Sequence, residues 1–198
     1  MLASPHLMKT LLTILLASSS LSFADLKQEI AHIRTQYNKI ESNKDLSAKT
    51  IQTNEDFAPN SGTIKRYTNK AGITVKQTIE WGGDHGSVSR TAYFMNGEIF
   101  FIYSNMSSWQ FDPNSDPNNN PSTIETVREE RHYFVDGKCV RALEKMASSP
   151  KYEVALELLK KQANKEIPDT ENASRLLKEA YAMLKIKSAK ELETHMGL

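Results

Sequence analysis

The most constraining feature of this 198-residue sequence is the position of its glycines. Seven of the eight lie between Gly62 and Gly137, and neither flanking stretch contains another before Gly197. Because glycine favours turns and weakens helices, this distribution separates a turn-rich centre from two helix-forming ends. We therefore predict a single α+β domain over residues 25–198, with an N-terminal helix at 25–42, an antiparallel sheet at 62–146 and C-terminal helices at 149–196.

Two turn signals in the central region predict β-hairpins. Asn96-Gly97 and Asp136-Gly137 suit two-residue type I′ turns, which need positive φ at both central residues. The segment Tyr93–Glu98 recurs as Tyr133–Lys138, and a looser third hairpin spans Arg66–Ile73. Shared hairpin chemistry explains this repeat better than internal duplication does. Three hairpins predict an antiparallel meander of about six strands.

The Asn96-Gly97 turn also predicts how its two strands pair. A two-residue loop places Phe94 opposite Ile99 and Ala92 opposite Phe101. In that register one face of the sheet carries Val88, Ala92, Phe94, Ile99, Phe101 and Tyr103. The same reasoning at the second turn places His132 opposite Arg141.

Apolar residues at helical spacing mark both ends of the chain. The N-terminal stripe consists of Leu26, Ile30, Ile33, Tyr37 and Ile40. This spacing predicts an amphipathic helix with one buried side. After Pro150, two further apolar stripes separated at Pro168 predict a C-terminal helical pair that packs on the sheet.

The first 24 residues have the pattern of a signal peptide. Lys9 precedes the apolar stretch Leu11–Ala17, and Ser22 and Ala24 are small residues of the kind that a signal peptidase reads. We predict cleavage after Ala24. The apolar stretch is too short to cross a bilayer, which needs about 20 residues.

The style of this segment is typical of bacteria, and both Met1 and Met8 remain open as the true start. No cysteine follows the apolar stretch directly, so a lipoprotein is not expected. We expect a protein exported to the periplasm or the extracellular space, without stable membrane insertion after cleavage.

The charge balance and the cysteine count exclude several classes of protein. The chain has 25 basic and 24 acidic residues, and residues 1–24 contain one lysine and no acid, so the cleaved form has no net charge. Without a basic excess, nucleic acid is not an expected partner. A single cysteine, Cys139, excludes an internal disulfide framework and a cysteine-based zinc ribbon, and we expect a quiet core thiol.

Gly82-Gly83-Asp84-His85-Gly86 is the most enzyme-like segment, since it places an acid beside an imidazole in a turn-prone loop. Adjacent side chains on an extended backbone point apart, however, so Asp84 and His85 cannot form a relay by themselves. No G-x-S-x-G, H-E-x-x-H or Walker motif occurs. We expect an exposed loop, which also suits a contact surface.

Two patterns bear on metal binding. The segment Asp112–Asn120 offers oxygen ligands at alternate positions, but Pro117 and Thr123 stand where a calcium loop needs glycine and glutamate. No histidine of residues 25–198 lies three or four positions from another histidine or from the cysteine. We therefore predict no metal site and no cofactor.

Charges alternate along the segment 125–131. Glu125, Glu129 and Glu130 are interspersed with Arg128 and Arg131. Carboxylates with basic neighbours favour cross-strand pairing over acid–base catalysis. This pattern predicts a salt-bridged, exposed strand face.

Aromatic residues near the predicted loop ends either close the edge of the sheet or form a contact patch. The predicted ligand or partner contacts, with no catalytic residue among them, are Trp81, Asp84, His85, Tyr103, Trp109 and Phe111. The leading hypothesis is an exported, non-catalytic binding or interaction module for an unknown protein, peptide or glycan of the cell envelope. The alternatives are a hydrolase-like enzyme that uses the Asp84-His85 loop, and a structural or assembly factor of the envelope.

Overall fold

The computed structural model describes residues 23–54, 60–116, 122–168 and 170–198. Its helices are α1 (Phe23–Glu41), α2 (Tyr152–Lys161), α3 (Thr170–Lys185) and α4 (Ala189–Met196). Its strands are β1 (Ser47–Gln52), β2 (Gly62–Thr68), β3 (Thr74–Gly83), β4 (Gly86–Met95), β5 (Glu98–Phe111), β6 (Thr123–Val135), β7 (Lys138–Ser149) and β8 (Lys165–Glu166). Residues 1–22, which are most of the predicted signal peptide, lie outside the described residues. So do residues 117–121, which include the end of the segment considered for calcium.

The strands form one antiparallel sheet in which spatial order follows sequence order. Within the described ranges it has eight strands, from β1 at one edge to β8 at the other. The α+β class and the meander are as predicted, and the hairpin strands foreseen from the turns are β2 to β7. The two edge strands carry weak sequence signals, because β1 buries one residue, Ile51, and β8 is two residues long.

All three predicted hairpin turns are present. Asn96 and Asp136 adopt φ of 53° and 49°, and the glycines that follow them are also at positive φ, as a type I′ turn requires. In the third turn, the Asn69 side-chain oxygen accepts hydrogen bonds from the backbone N–H groups of Ala71 and Ile73. Local turn chemistry therefore sets the connections of the meander.

The predicted pairing of β4 with β5 is correct for Phe94 and Ile99 but wrong from the next pair onward. Phe94 pairs with Ile99 as expected, but the next pair is Tyr93 with Phe101, and Phe100 is the extra residue of a β-bulge. The bulge puts Phe101 and Tyr103 on the opposite face from Phe94 and Ile99. The prediction that all of them share one face was therefore wrong.

The second hairpin carries the same bulge at Val140. Phe134 pairs with Cys139 and Tyr133 with Arg141, which places His132 opposite Ala142. The predicted pairing of His132 with Arg141 was wrong for the same reason. Cys139 is half-buried in the apolar cluster around Phe134.

Helices cover parts of both faces of the sheet. One face packs against α1 through Tyr93, Phe101 and Tyr133, and against α2 through Val127 and Ala147; we call it the α1–α2 face. The other face packs against α3 and α4, and we call it the α3–α4 face. Its apolar contacts include Phe94, Ile102 and Phe134 under α3, and Ile51, Ile64 and Ile79 near Leu192 of α4.

The C-terminal helices pack on the sheet as predicted, but α2 and α3 lie on opposite faces. The strand between them, β8, pairs with β7 at Leu143 and Glu144. The chain therefore passes around the β7 edge as it moves from one face to the other. Among the described residues, no helix is both long and apolar enough to cross a bilayer.

Candidate functional site

The structure divides the six predicted contact residues among three places. Asp84, His85, Trp109 and Phe111 meet at one end of the sheet, beside the β3–β4 turn, and we call this group the turn cluster. Trp81 lies on the α3–α4 face, and Tyr103 lies on the α1–α2 face.

The turn cluster is organised around the indole of Trp109. Its Nε1–H donates to the Asp84 backbone carbonyl at 2.9 Å, and its ring lies 4.6 Å from the His85 ring, centroid to centroid. Phe111 packs edge-on against the indole at 5.5 Å and is 57% exposed. Among the described residues, the His85 ring makes no hydrogen bond or ion pair with a carboxylate. This geometry is a small exposed aromatic patch, and it lacks the carboxylate–imidazole contact of a catalytic relay.

Trp81 packs in the interior and makes a cation–π contact. Its ring lies 5.0 Å beneath the Arg90 guanidinium and contacts the apolar cluster shared with Met183 and Leu192. Since the ring is half-buried between a cation and helices α3 and α4, its contacts are internal to the fold.

Tyr103 lies in an open space between α1 and α2. Two cavities of about 350 Å³ each share Tyr103 as a lining residue, one bordered by α1 and the other by α2. We call the combined space the helix groove. Its floor comprises Tyr103, Asn105, Glu129 and Arg131, its α1 wall includes Arg34, Tyr37 and Asn38, and its α2 wall includes Tyr152 and Leu156.

A hydrogen-bonded ionic group forms the floor of this groove. Arg131 donates one Nη to a Glu129 oxygen at 2.7 Å and the other to the Asn164 side-chain oxygen at 2.8 Å. Its guanidinium also lies 5.2 Å over the Tyr103 ring. Lys145 reaches the same Glu129 oxygen at 3.1 Å. Strand backbone and paired charges thus hold these side chains in place beside an open cavity.

The protonation of the floor follows from this arrangement. Burial raises the pKa of Tyr103, and the Glu129 carboxylate raises it further, so the phenol stays neutral and can donate. Burial alone would raise the pKa of Glu129, but hydrogen bonds from Lys145 and Arg131 hold it below its ordinary value. At neutral pH one carboxylate therefore faces two cations.

A second ionic group lies beneath α3 on the α3–α4 face. Arg90 Nη1 contacts Glu179 of α3 at 2.7 Å, and its Nε donates to Ser104 at 3.3 Å. Glu130 is bonded to Arg128 at 2.9 Å and is only 4% exposed. The predicted salt bridges are present, but the predicted exposed face was wrong. Adjacent residues of β6 point to opposite faces, so Glu129 lies beside the helix groove and Glu130 enters a separate network on the α3–α4 face.

Sequence reasoning found one residue of the helix groove, Tyr103, and missed its partners. Arg131 and Glu129 were treated as a surface pair, although two-residue periodicity from the Asp136-Gly137 turn puts them on the same face as Tyr133. Arg34 and Tyr37 of α1 could not be assigned to a site, because nothing in the sequence shows where α1 crosses the sheet.

Among the described residues, no three His, Cys, Asp or Glu side chains form a group that could hold a metal ion. Comparisons with known proteins also leave the site without an assigned chemistry. No protein-family model matches the chain, and no curated protein or solved structure matches it at a significant level.

Replacing Glu129 with glutamine should make the free energy of unfolding vary less with pH in the acid range. Because folding lowers the pKa of this carboxylate, its stabilisation is complete above its unfolded pKa of about 4.3 and is lost as pH falls through the lower folded pKa. We expect Glu129→Gln to lower the free energy of unfolding by about 1–2 kcal/mol at pH 7, since Arg131 and Lys145 lose their carboxylate. Urea unfolding from pH 7 down to pH 2 measures the difference, which should shrink below about pH 4.

Glu157→Gln is the matched control for this measurement. Glu157 forms an exposed ion pair with Lys160 at 2.6 Å, and that contact also lowers its pKa. Because solvent screens this pair, the control should unfold at the same midpoint as the unaltered protein. A stability loss in Glu129→Gln that stays constant at every pH would show that the carboxylate charge is not responsible.

Proposed function

We propose that this chain is an exported, non-catalytic binding module whose ligand occupies the helix groove. The proposal of export is supported by the signal-peptide pattern of residues 1–24. The proposal of binding is supported by one observation above all. Tyr103 and Arg131 are stacked, hydrogen-bonded and half-buried, yet they line open cavities rather than packing beneath a helix.

The position of the groove on the sheet supports the same proposal. On the α1–α2 face, α1 covers the rows around Phe101 and Tyr133, and α2 covers the rows around Val127 and Ala147. Between these two helices, the cross-strand pairs Tyr103–Arg131 and Asn105–Glu129 carry polar side chains and line open cavities. Concave sites with several convergent polar groups among aromatic rings are the usual form of ligand sites.

A non-catalytic role fits the chemistry of the groove better than hydrolysis does. The Glu129 carboxylate accepts from two cations, which keeps it ionised and weakens it as a general base. The hydrolase alternative depends on Asp84 and His85. Both residues instead contact the Trp109 side chain, whose N–H donates to the Asp84 carbonyl and whose ring packs against the His85 ring. A peptide or a glycan of the envelope is the class of ligand that we propose.

The test is binding of the exported protein to defined peptides and glycans. The full sequence is expressed in a bacterium, the protein is recovered from the periplasm, and binding to arrays of short peptides and envelope glycans is measured. We expect Tyr103→Ala to weaken any observed binding about tenfold or more, because it removes the ring under Arg131.

Two variants make this test specific to the groove. Tyr67→Ala is the matched control, because Tyr67 is a half-buried strand tyrosine with Lys76 over its ring at 5.0 Å and lies outside the groove. Trp109→Ala removes the centre of the turn cluster. Binding that persists in Tyr103→Ala and disappears in Trp109→Ala would assign the ligand to the turn cluster instead. Absence of binding to every probe would overturn the proposal.

A further inference from the structure

The chemistry of the groove also indicates a class of ligand, an inference that rests on the proposed function. Two arginines line its α1 end, Arg34 from the helix and Arg131 from β6. Arg131 is committed to Glu129 and Asn164. Among the described residues, the exposed Arg34 side chain makes no hydrogen bond or ion pair. The cavity therefore has one guanidinium with free donors.

The charges around the groove do not balance. Arg34, Arg131 and Lys145 supply three positive charges, and Glu129 is the carboxylate bonded to two of them. The carboxylate of a ligand in the groove would be attracted by this excess of positive charge. A neutral sugar would leave the excess uncompensated.

Four of the six other residues that line this cavity are aromatic. Tyr37, Phe101, Tyr103 and Tyr133 line the same 350 Å³ space as the two arginines. Its volume lies near the lower end of the range for small-molecule sites, about 300–1,000 Å³. A planar apolar group fits beside such rings, and one free guanidinium matches a single planar anion through paired hydrogen bonds.

We infer that the helix groove binds an organic carboxylate with a planar apolar body, its carboxylate held by Arg34 beside Arg131 and its body packed among Tyr37 and Tyr103. Such a group occurs in free aromatic acids and at the C-terminus of a peptide that ends in an aromatic residue. The two sources share the chemistry that the groove recognises.

Matched acid and amide probes test this inference. Binding of N-acetyl-tyrosine and of N-acetyl-tyrosinamide to the exported protein is measured by NMR titration or calorimetry at millimolar concentrations. We expect the acid to bind about tenfold more tightly than the amide, because only the acid can pair with Arg34. The peptides Gly-Gly-Tyr and Gly-Gly-Tyr-amide form a second pair, and a preference for the peptide acid over the free acid would identify a chain terminus as the source.

Arg34→Ala should abolish the preference for the acid and leave the affinity for the amide unchanged. Because the Arg34 side chain is exposed, the substitution should not disturb folding. Arg175→Ala, which removes an exposed arginine on the other face, is the control and should retain the preference. Raised salt should weaken binding of the acid but not of the amide.

The outcomes separate this inference from the proposed function. Equal affinity for acid and amide that is lost in Tyr103→Ala would overturn the carboxylate inference and support binding in the groove. Failure of both probe pairs to bind the unaltered protein would also overturn the inference, while the arrays decide the broader proposal. Tighter binding of phenyl phosphate than of the acids would overturn it in favour of a dianion.

Discussion

Glu179→Ala is expected to lower the free energy of unfolding by about 3 kcal/mol. The substitution leaves the Arg90 guanidinium, which is 5% exposed, without the carboxylate that it contacts at 2.7 Å. Burial lowers the pKa of Arg90, and Glu179 opposes that effect, so the carboxylate compensates the cost of placing a cation beneath α3. Breaking a buried ion pair from one side costs about 3–5 kcal/mol.

Arg175→Ala is the control, because it removes an exposed partner of the same carboxylate and leaves the buried one in place. Arg175 also contacts Glu179, at 3.7 Å, but its side chain is 63% exposed. Arg175→Ala should therefore change stability by less than about 0.5 kcal/mol. Urea unfolding with an unchanged m-value measures both variants. Equal losses in the two variants would contradict the assigned role of burial.

Arg90→Met completes a double-mutant cycle with Glu179→Ala. Once the cation is absent, loss of the carboxylate should cost much less, so the double variant should be more stable than the sum of the single losses predicts. A coupling near zero would mean that the two charges are solvated independently. The methionine retains an apolar side chain over Trp81, which limits the loss of packing.

Polar contacts explain how α3 is held in register on its face. Near its C-terminal end, the carbonyl of Ala180 accepts from Gln77 at 3.1 Å and the carbonyl of Met183 accepts from Arg66. The last carbonyls of a helix lack partners within the helix, and a cation is favoured there. Arg66 of β2 therefore places a buried cation at the end of α3, and Gln77 of β3 adds a neutral donor nearby. Leu176 supplies the apolar contact.

The turns and apolar stripes were enough to predict most of the fold. Asn96-Gly97 and Asp136-Gly137 carry their geometry in two residues, and the stripe along α1 needs no knowledge of the sheet. The bulges at Phe100 and Val140 were not predictable in this way, because each depends on how the two strands twist together.

The residues of the helix groove could not be predicted from local sequence patterns for a related reason. Arg34 and Arg131 are far apart in sequence and line one cavity only because α1 crosses β5 and β6 beside α2. Burial likewise made Glu130 part of an interior network, although its neighbours in sequence are charged. Long-range packing decides which side of a polar strand remains open, and a single sequence contains no direct measure of it.

Gly86→Ala is expected to destabilise the fold by about 3 kcal/mol, through close backbone contact beneath the turn cluster. A β-carbon at this position would lie 2.1 Å from the Ser107 carbonyl oxygen and 2.9 Å from Ser108 Cα, and φ is +157°. Backbone atoms cannot move aside as a flexible side chain can, so β4 and β5 would have to separate locally. Thermal and urea unfolding measure the loss.

Gly83→Ala, directly across the turn, distinguishes close packing from loop flexibility. Among the described residues, its β-carbon would meet only the Asn60 side-chain oxygen, at 3.2 Å, so we expect a loss below about 1 kcal/mol. If the glycines around Asp84 and His85 served catalytic mobility, both substitutions would affect stability little and to the same extent. A large difference between them would instead mean that Gly86 is needed for the close approach of β5, where the Trp109 N–H donates to the His85 carbonyl at 3.0 Å. The segment that looks most like an active site in the sequence would then owe its glycine at position 86 to strand packing.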